Sequence, residues 1–356
     1  MKLFKKIIAI VLCVLMTVSV TACGGDTSWI MKTENTEITA GHYMFYLINA
    51  YGSASYLVED AEKSILSQKI DGMKAADWIQ ETALETAKFA MVIKEMFEKE
   101  GLELSAENQE YVNQLANYYW AYYGSTIYYP NGVSYETLVK TMGYEVMLSE
   151  LFAHLYGEGG SREISQEDVK KGLAENYAKI KEIGISLVGM SGEMRSEEVQ
   201  ADLKAKAEDY KKRIEAGEKI EDLIKEHYNV ELELAVEETG STAEEITGGT
   251  TVDDIDTEAV VVSSNNTNYS TNEIEKILKL ENGEVAVLVE EEYIRVVQKM
   301  DILEDDTYLK EYDMSVRTIL KSDEFTEEIQ KLASELDVEI NEAGLKKYKP
   351  SKVKLS

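Results

Sequence analysis

The hydrophobic period of this chain changes twice, and that constrains its fold more than any other feature. Up to residue 182 the apolar residues recur at helical spacing. At KEIGISLVGM (181–190), Ile183, Ile185 and Leu187 alternate with Glu182, Gly184 and Ser186, the period of a strand with one apolar face. From residue 305 the helical period returns. Pro130 and Pro350 are the only prolines, as a mostly helical chain requires. The expected class is therefore α+β: two helical segments packed together, with a small α/β module inserted between them.

The first helical block holds several segments. ITAGHYMFYLINAYGSASYLV (38–58) has an N-cap at Thr39. In 74–101 the residues Trp78, Ile79, Ala83, Leu84, Ala87, Ala90, Met91 and Met96 share one face, and Gly101 closes the helix. Segment 105–124 starts on a capping signal at Ser105, and helical patterns over 133–160 and 165–182 complete the block. After the strand come helices over 195–218 and 219–228. Residues 226–275 hold thirteen Asp or Glu and no Lys or Arg, which predicts acidic loops around short strands. Residues 281–302 form a hairpin pattern turning near Glu290–Glu292. A helix over 305–337, a short strand at 338–340 and the basic tail KKYKPSKVK end the chain.

The N-terminus reads as a targeting segment. Lys2, Lys5 and Lys6 precede an uncharged apolar run at 7–20, too short for a membrane span. VTAC (20–23) then resembles a lipobox, with cleavage after Ala22 and a diacylglycerol on Cys23. Cys13 would leave with the signal, so the mature chain would keep only Cys23, and no internal disulfide could form. The fold must then stand on its core. A formal charge of −30 disfavours nucleic acid and repels anionic lipid, leaving the tether as the membrane contact.

Several stretches resemble the PrsA/SurA class of extracytoplasmic foldases, which join a helical chaperone domain to a parvulin-type prolyl isomerase module. TENTEITAGHYMFYL (33–47) resembles the opening hairpin and first helix of the chaperone domain, and EINEAGLKKY (339–348) its C-terminal strand and turn. GEKIEDLIKEHYN (217–229) and LKLENGEVAVLVEEEYIRVVQKMD (278–301) resemble an inner segment and the closing hairpin of the isomerase module. The resemblance implies a signal peptide at 1–22, a helical chaperone domain at 23–180, a parvulin-like domain at 181–302 and a C-terminal helical segment at 303–356 packing on the chaperone domain.

The resemblance also implies two histidines facing each other around the prolyl ring. Here those positions fall on Gly184 and on Arg295, or Ile294 if the register slips by one. The chain has only His42, His154 and His227, the last read as a partly exposed surface residue rather than a ligand. Prolyl isomerisation needs an apolar cradle for a twisted amide whose rotation barrier is about 18–20 kcal/mol. Glycine and arginine do not supply one. Residues 183–188 are accordingly read as a structural strand, and the parvulin-like module as degenerate.

The remaining candidates are few. DDIDTE (253–258) lacks the mid-loop glycine of a calcium loop and reads as a solvated acidic segment. Tyr119, Trp120, Tyr122, Tyr123, Tyr128 and Tyr129 exceed what one helix face can bury and are the candidate surface for unfolded clients. No nucleophile elbow or dinucleotide glycine pattern is present.

The expected function is thus a lipid-anchored extracytoplasmic chaperone on the outer face of a bacterial cytoplasmic membrane, without efficient isomerisation. It would bind unfolded or newly secreted polypeptides, need no cofactor or metal, and could pair as a homodimer. The alternatives are an active parvulin-type isomerase and a solute-binding lipoprotein, the latter predicting two similar α/β lobes.

Overall fold

The computed structural model describes residues 28–355. Residues 1–22, expected to be a signal peptide, and Cys23 lie outside the described residues. The fold is α+β and mainly helical, and the chain divides into two compact units. One runs to Glu163 and resumes at Lys321; the other is Ile164–Leu320. These divisions differ from the boundaries at 180 and 302 that the resemblance implies.

In the first unit, β1 (Trp29–Lys32) pairs antiparallel with β2 (Glu37–Thr39). Helix α1 (Ala40–Leu57) follows at once, and Thr39 caps it in a capping box whose third residue is His42. A small hairpin, β3 (Lys69–Ile70) and β4 (Met73–Lys74), leads into α2 (Ala75–Lys99). The helical stripe predicted there is the buried one: Ile79, Ala83, Ala87 and Met91 are wholly inaccessible. Ser105 caps α3 (Ala106–Tyr123) and Ser134 caps α4 (Tyr135–Tyr156). These helices bury Tyr43, Leu47, Leu138 and Met142 in one core with Ile30, Met31 and Ile38 of the sheet.

The second unit opens with α5 (Gln166–Asn176) and β5 (Tyr177–Ser186). The helix expected over 165–182 therefore stops six residues early. From Tyr177 the chain alternates buried Ala178 and Ile180 with Lys179 and Lys181, which is the strand period already in force. Next come α6 (Glu197–Glu215) and α7 (Ile220–Thr239), the latter running well past the expected end at 228. The acidic segment is also more ordered than loops. It contains the end of α7, the short α8 (Ala243–Thr247), β6 (Val260–Ser263) and the start of α9 (Thr271–Lys279). Then β7 (Val285–Val289) and β8 (Tyr293–Met300) form the expected hairpin. The sheet is fully antiparallel in the order β6-β5-β8-β7.

Helix α10 (Thr307–Glu335) spans the division between the units. Its last part belongs to the first unit, where Phe325 meets Phe152 and Tyr156 at centroid distances of 5.6 and 5.7 Å. There β9 (Glu339–Ile340) extends the first sheet along β1, and α11 (Glu342–Lys347) follows.

Strand β5 carries cores on both faces. Ile183, Ile185 and Leu187 join Ile294 and Val296 under Leu203, Tyr210 and Leu223 of α6 and α7. On the other face Ala178, Ile180 and Val297 lie under Ile274 and Ile277 of α9. That second core ends before Gly184, above which an added Cβ would meet nothing within 4 Å. Ile183→Ala should therefore cost about 2–5 kcal/mol in urea unfolding, whereas Gly184→Ala should leave stability unchanged or slightly raised. Equal losses at the two positions would contradict this division of the strand.

Candidate functional site

The site in question is the open end of the second sheet face, past the cover of α9. Alternation brings Glu182, Gly184 and Ser186 of β5 to this face. The register sets them opposite Val297, Arg295 and Tyr293 of β8. Gly184 and Arg295, the positions matching the two histidines of the resembled family, are thus direct cross-strand partners.

Arg295 is held on every side. Its Nε donates to Glu273 Oε1 at 3.1 Å, its Nη1 to Glu182 Oε1 at 3.0 Å and its Nη2 to the Asn268 carbonyl at 2.9 Å. The guanidinium lies 4.5 Å from the Tyr269 ring centroid and 4.8 Å from that of Tyr293. Glu273 is wholly inaccessible to solvent. It also accepts from the Tyr293 hydroxyl at 3.0 Å and from the Ser270 backbone N–H at 2.8 Å, as the third residue of the α9 capping box. Burial opposes the charge on Arg295, but Glu182 and Glu273 outweigh it and hold the guanidinium more firmly protonated than usual. Burial, then the neighbouring Glu182, raises the Tyr269 hydroxyl.

One fixed cation sits between two carboxylates and two rings, and its donors are directed at those partners rather than at the space above Gly184. An apolar cradle for a prolyl ring is absent from this patch. Glycine gives it no wall on one strand, and the other strand presents a charge.

A second polar cluster, missed by the sequence reading, ties the loop after β5 to α7. Arg195 is nearly buried and donates to Glu231 through Nη1 and Nη2 at 3.1 and 2.8 Å, to Glu238 through Nε at 2.9 Å and to the Ser186 carbonyl at 2.9 Å. His227 belongs to this cluster. It is buried, not partly exposed as expected, because α7 turns it inward against Tyr210, whose hydroxyl is 3.5 Å from Nδ1. Its Nε2 lies 3.3 Å from Glu231 Oε1. His154 lies 3.6 Å from Glu100, and His42 is buried in the α1 cap, where burial and the charge of Lys140 push it down to about 4. Among the described residues no group of three or more His, Cys, Asp or Glu is placed to hold a metal ion.

The tyrosine-rich segment is split by the structure. Tyr119, Tyr122, Tyr123 and Tyr129 are exposed, as are Tyr111 and Tyr118, which the candidate set omitted. Tyr118 and Tyr122 are 4.9 Å apart by ring centroid and touch Tyr119 and Tyr123 in turn, so these four rings form a continuous patch on α3. Trp120 is half-buried. Tyr128 is a correction: it is only 5% exposed and packs against Phe45 and Trp120 in the core. One turn of π-helix, Gly124–Tyr128, rotates it inward. Gly124 permits that turn, since a Cβ there would lie 2.7 Å from the Trp120 ring.

Glu231 gives this region a pH signature. Burial alone would raise its carboxyl, but the contact with His227 and the hydrogen bonds from Arg195 prevail and hold it below the usual value of 4.5. The folded state therefore binds this proton less readily than the unfolded chain. The stabilisation is complete above the unfolded value and is lost as pH falls through the folded one. Glu231→Gln should lower the urea midpoint at pH 7 and flatten its decline below pH 4.5 relative to the parent; an unchanged acid limb would exclude Glu231 as its source.

No family model and no curated protein matches the sequence. Among solved structures the chain is similar to PrsA from Bacillus subtilis, at 15% identity over 91% of this chain and 98% of that one, with a TM-score of 0.28. It is also similar to foldase protein PrsA from Streptococcus pneumoniae and to that from Lactococcus lactis. Each is 13% identical over 90% of this chain and 99% of the other, with TM-scores of 0.35 and 0.36.

Proposed function

We propose that this chain is an extracytoplasmic chaperone of the foldase type, anchored through a lipid on Cys23, that binds unfolded or newly secreted polypeptides without efficient prolyl isomerisation. The observation that carries the second half is the pairing of Gly184 with Arg295. The positions matching the family's histidines face each other, yet the arginine is committed to Glu182, Glu273, Tyr269 and Tyr293. The tyrosine surface on α3 supports the first half. Its rings offer large area at low entropy cost, and their hydroxyls tolerate water when no client is bound. From Tyr111 to Tyr135 the chain carries no charge at all, although its formal charge is −30. Such a surface neither repels acidic clients nor selects basic ones. Among the described residues no helix is long and apolar enough to cross a membrane, which is compatible with attachment through a lipid. The two units are unlike, one mainly helical and one built on a four-stranded sheet, which speaks against the paired lobes of a solute receptor.

Exchange NMR on a short Xaa-Pro peptide with residues 24–356 tests the catalytic half. The expected result is no acceleration of cis/trans exchange at high protein concentration. Acceleration abolished by Arg295→Ala would instead make the module a rebuilt isomerase.

The binding half is tested by suppression of aggregation of a permanently unfolded polypeptide. Joint replacement of Tyr119, Tyr122, Tyr123 and Tyr129 by serine should weaken suppression severalfold, with each exposed site shifting stability by no more than about 0.5 kcal/mol. Tyr128→Ala should do the reverse, costing about 3–5 kcal/mol of stability through the cavity it leaves. Undiminished suppression by the quadruple variant would move the client surface elsewhere.

A further inference from the structure

Residues 343–355 carry five lysines and no acid, at the end of a chain with a formal charge of −30. Lys346, Lys347, Lys349, Lys352 and Lys354 are all exposed. This basic segment is fixed at both ends beside the first described residue, Ser28. At its start, Asn341 donates through Nδ2 to the Trp29 carbonyl at 2.8 Å and through its backbone N–H to the Ile30 carbonyl at 2.9 Å. Gly344 sits so close to Ile30 that a Cβ would lie 2.6 Å from its Cδ1. At its far end, buried Asn131 clamps the backbone of Lys354, donating to its carbonyl at 2.7 Å and accepting from its N–H at 2.9 Å. Next to Asn131, the Gly132 carbonyl lies 3.4 Å from the Cβ position of Gly41. The neighbouring Ala40 N–H donates to the Ser28 carbonyl at 2.6 Å.

Five residue steps separate Cys23 from Ser28, a reach of at most about 18 Å. We propose that the lysine segment 346–354 docks the first unit onto anionic lipid headgroups, so that the tether and this basic end together orient the unit on the bilayer. The inference rests on the anchoring of Cys23 proposed above. The tether supplies proximity and the lysines supply attraction, while the acidic remainder of the chain is repelled. Trp29, half-buried beneath Lys32 at 4.4 Å, places an amphipathic ring at the same end, as at membrane interfaces. A lipid surface is favoured over a soluble polyanion because the anchor already holds the segment within reach of headgroups.

The test uses the lipid-anchored protein with Ser351→Cys carrying a fluorophore, reconstituted into vesicles that contain a quencher lipid. On phosphatidylcholine mixed with phosphatidylglycerol the probe should be quenched. Quenching should be severalfold weaker on phosphatidylcholine alone, and weaker at 1 M salt, where the screening length falls to about 3 Å. Each lysine replaced by glutamine should lower the docked-to-undocked ratio roughly fivefold. Flotation reports the anchor separately. Protein that fails to float overturns the anchor and the docking with it. Protein that floats with its probe unquenched, or equally quenched on both lipids, overturns the docking alone. Equal protection of the probe by soluble polyglycerol phosphate would replace the lipid with a polymer and also overturn it.

Discussion

The antiparallel pairing of β5 with β8 is the contact on which the second unit depends. It runs from Lys179 opposite Met300 to Ser186 opposite Tyr293, and both cores of the unit are built on its two faces. Where the second core ends, the sheet must satisfy a buried carboxylate. Glu273 cannot be charged there alone, since an isolated buried carboxylate is far too costly. Arg295, the Tyr293 hydroxyl and the Ser270 N–H offset that cost together. A buried ion pair of this kind adds little net stability, but removing either partner is expensive. Arg295 is therefore fixed in place by what its loss would leave behind.

Much of the fold was legible because its elements obey one period at a time. The α2 stripe, the caps at Thr39 and Ser105, and the β7–β8 hairpin all stand where local chemistry put them. The misplacements fall where two readings compete. In YAKIKE the Lys and Glu suit a helix as well as a strand, and only pairing with both β6 and β8 decides for the strand. In VELELAV the alternation suggests a strand, yet residues 230–236 continue α7, with Ala235 buried. There the partners of Arg195 matter, because Glu231 and Glu238 are seven residues apart and reach it from the same helix face.

The candidate site was legible in its positions but not in its contacts. The resemblance implied that Gly184 faces Arg295, or Ile294 after a one-residue slip, and the β5–β8 register pairs Gly184 with Arg295. The resemblance could not reveal that α9 carries Glu273 onto the same patch, because that contact depends on the path of the chain through the acidic segment. The tyrosines show the same limit. Their number implied a surface, but the single π turn that sends Tyr128 inward has no period to betray it. His227 was misjudged for a similar reason, since its burial is set by Tyr210 on a different helix.

The two faces of β5 also divide packing from the open patch. The Ile183, Ile185 and Leu187 face carries the packing against α6 and α7, and none of those side chains reaches the open face. Substitutions at 184 or 295 act on a patch outside that core, so the sheet can persist whatever stands there, provided Glu273 keeps a counter-charge. A catalytic floor and a structural strand are then not exclusive descriptions of one segment. They would be its two faces, and the packed one is built from Ile183, Ile185 and Leu187. Under the proposed function, polypeptide binding draws on surfaces that need no aligned catalytic pair, and the uncharged rings on α3 are such a surface.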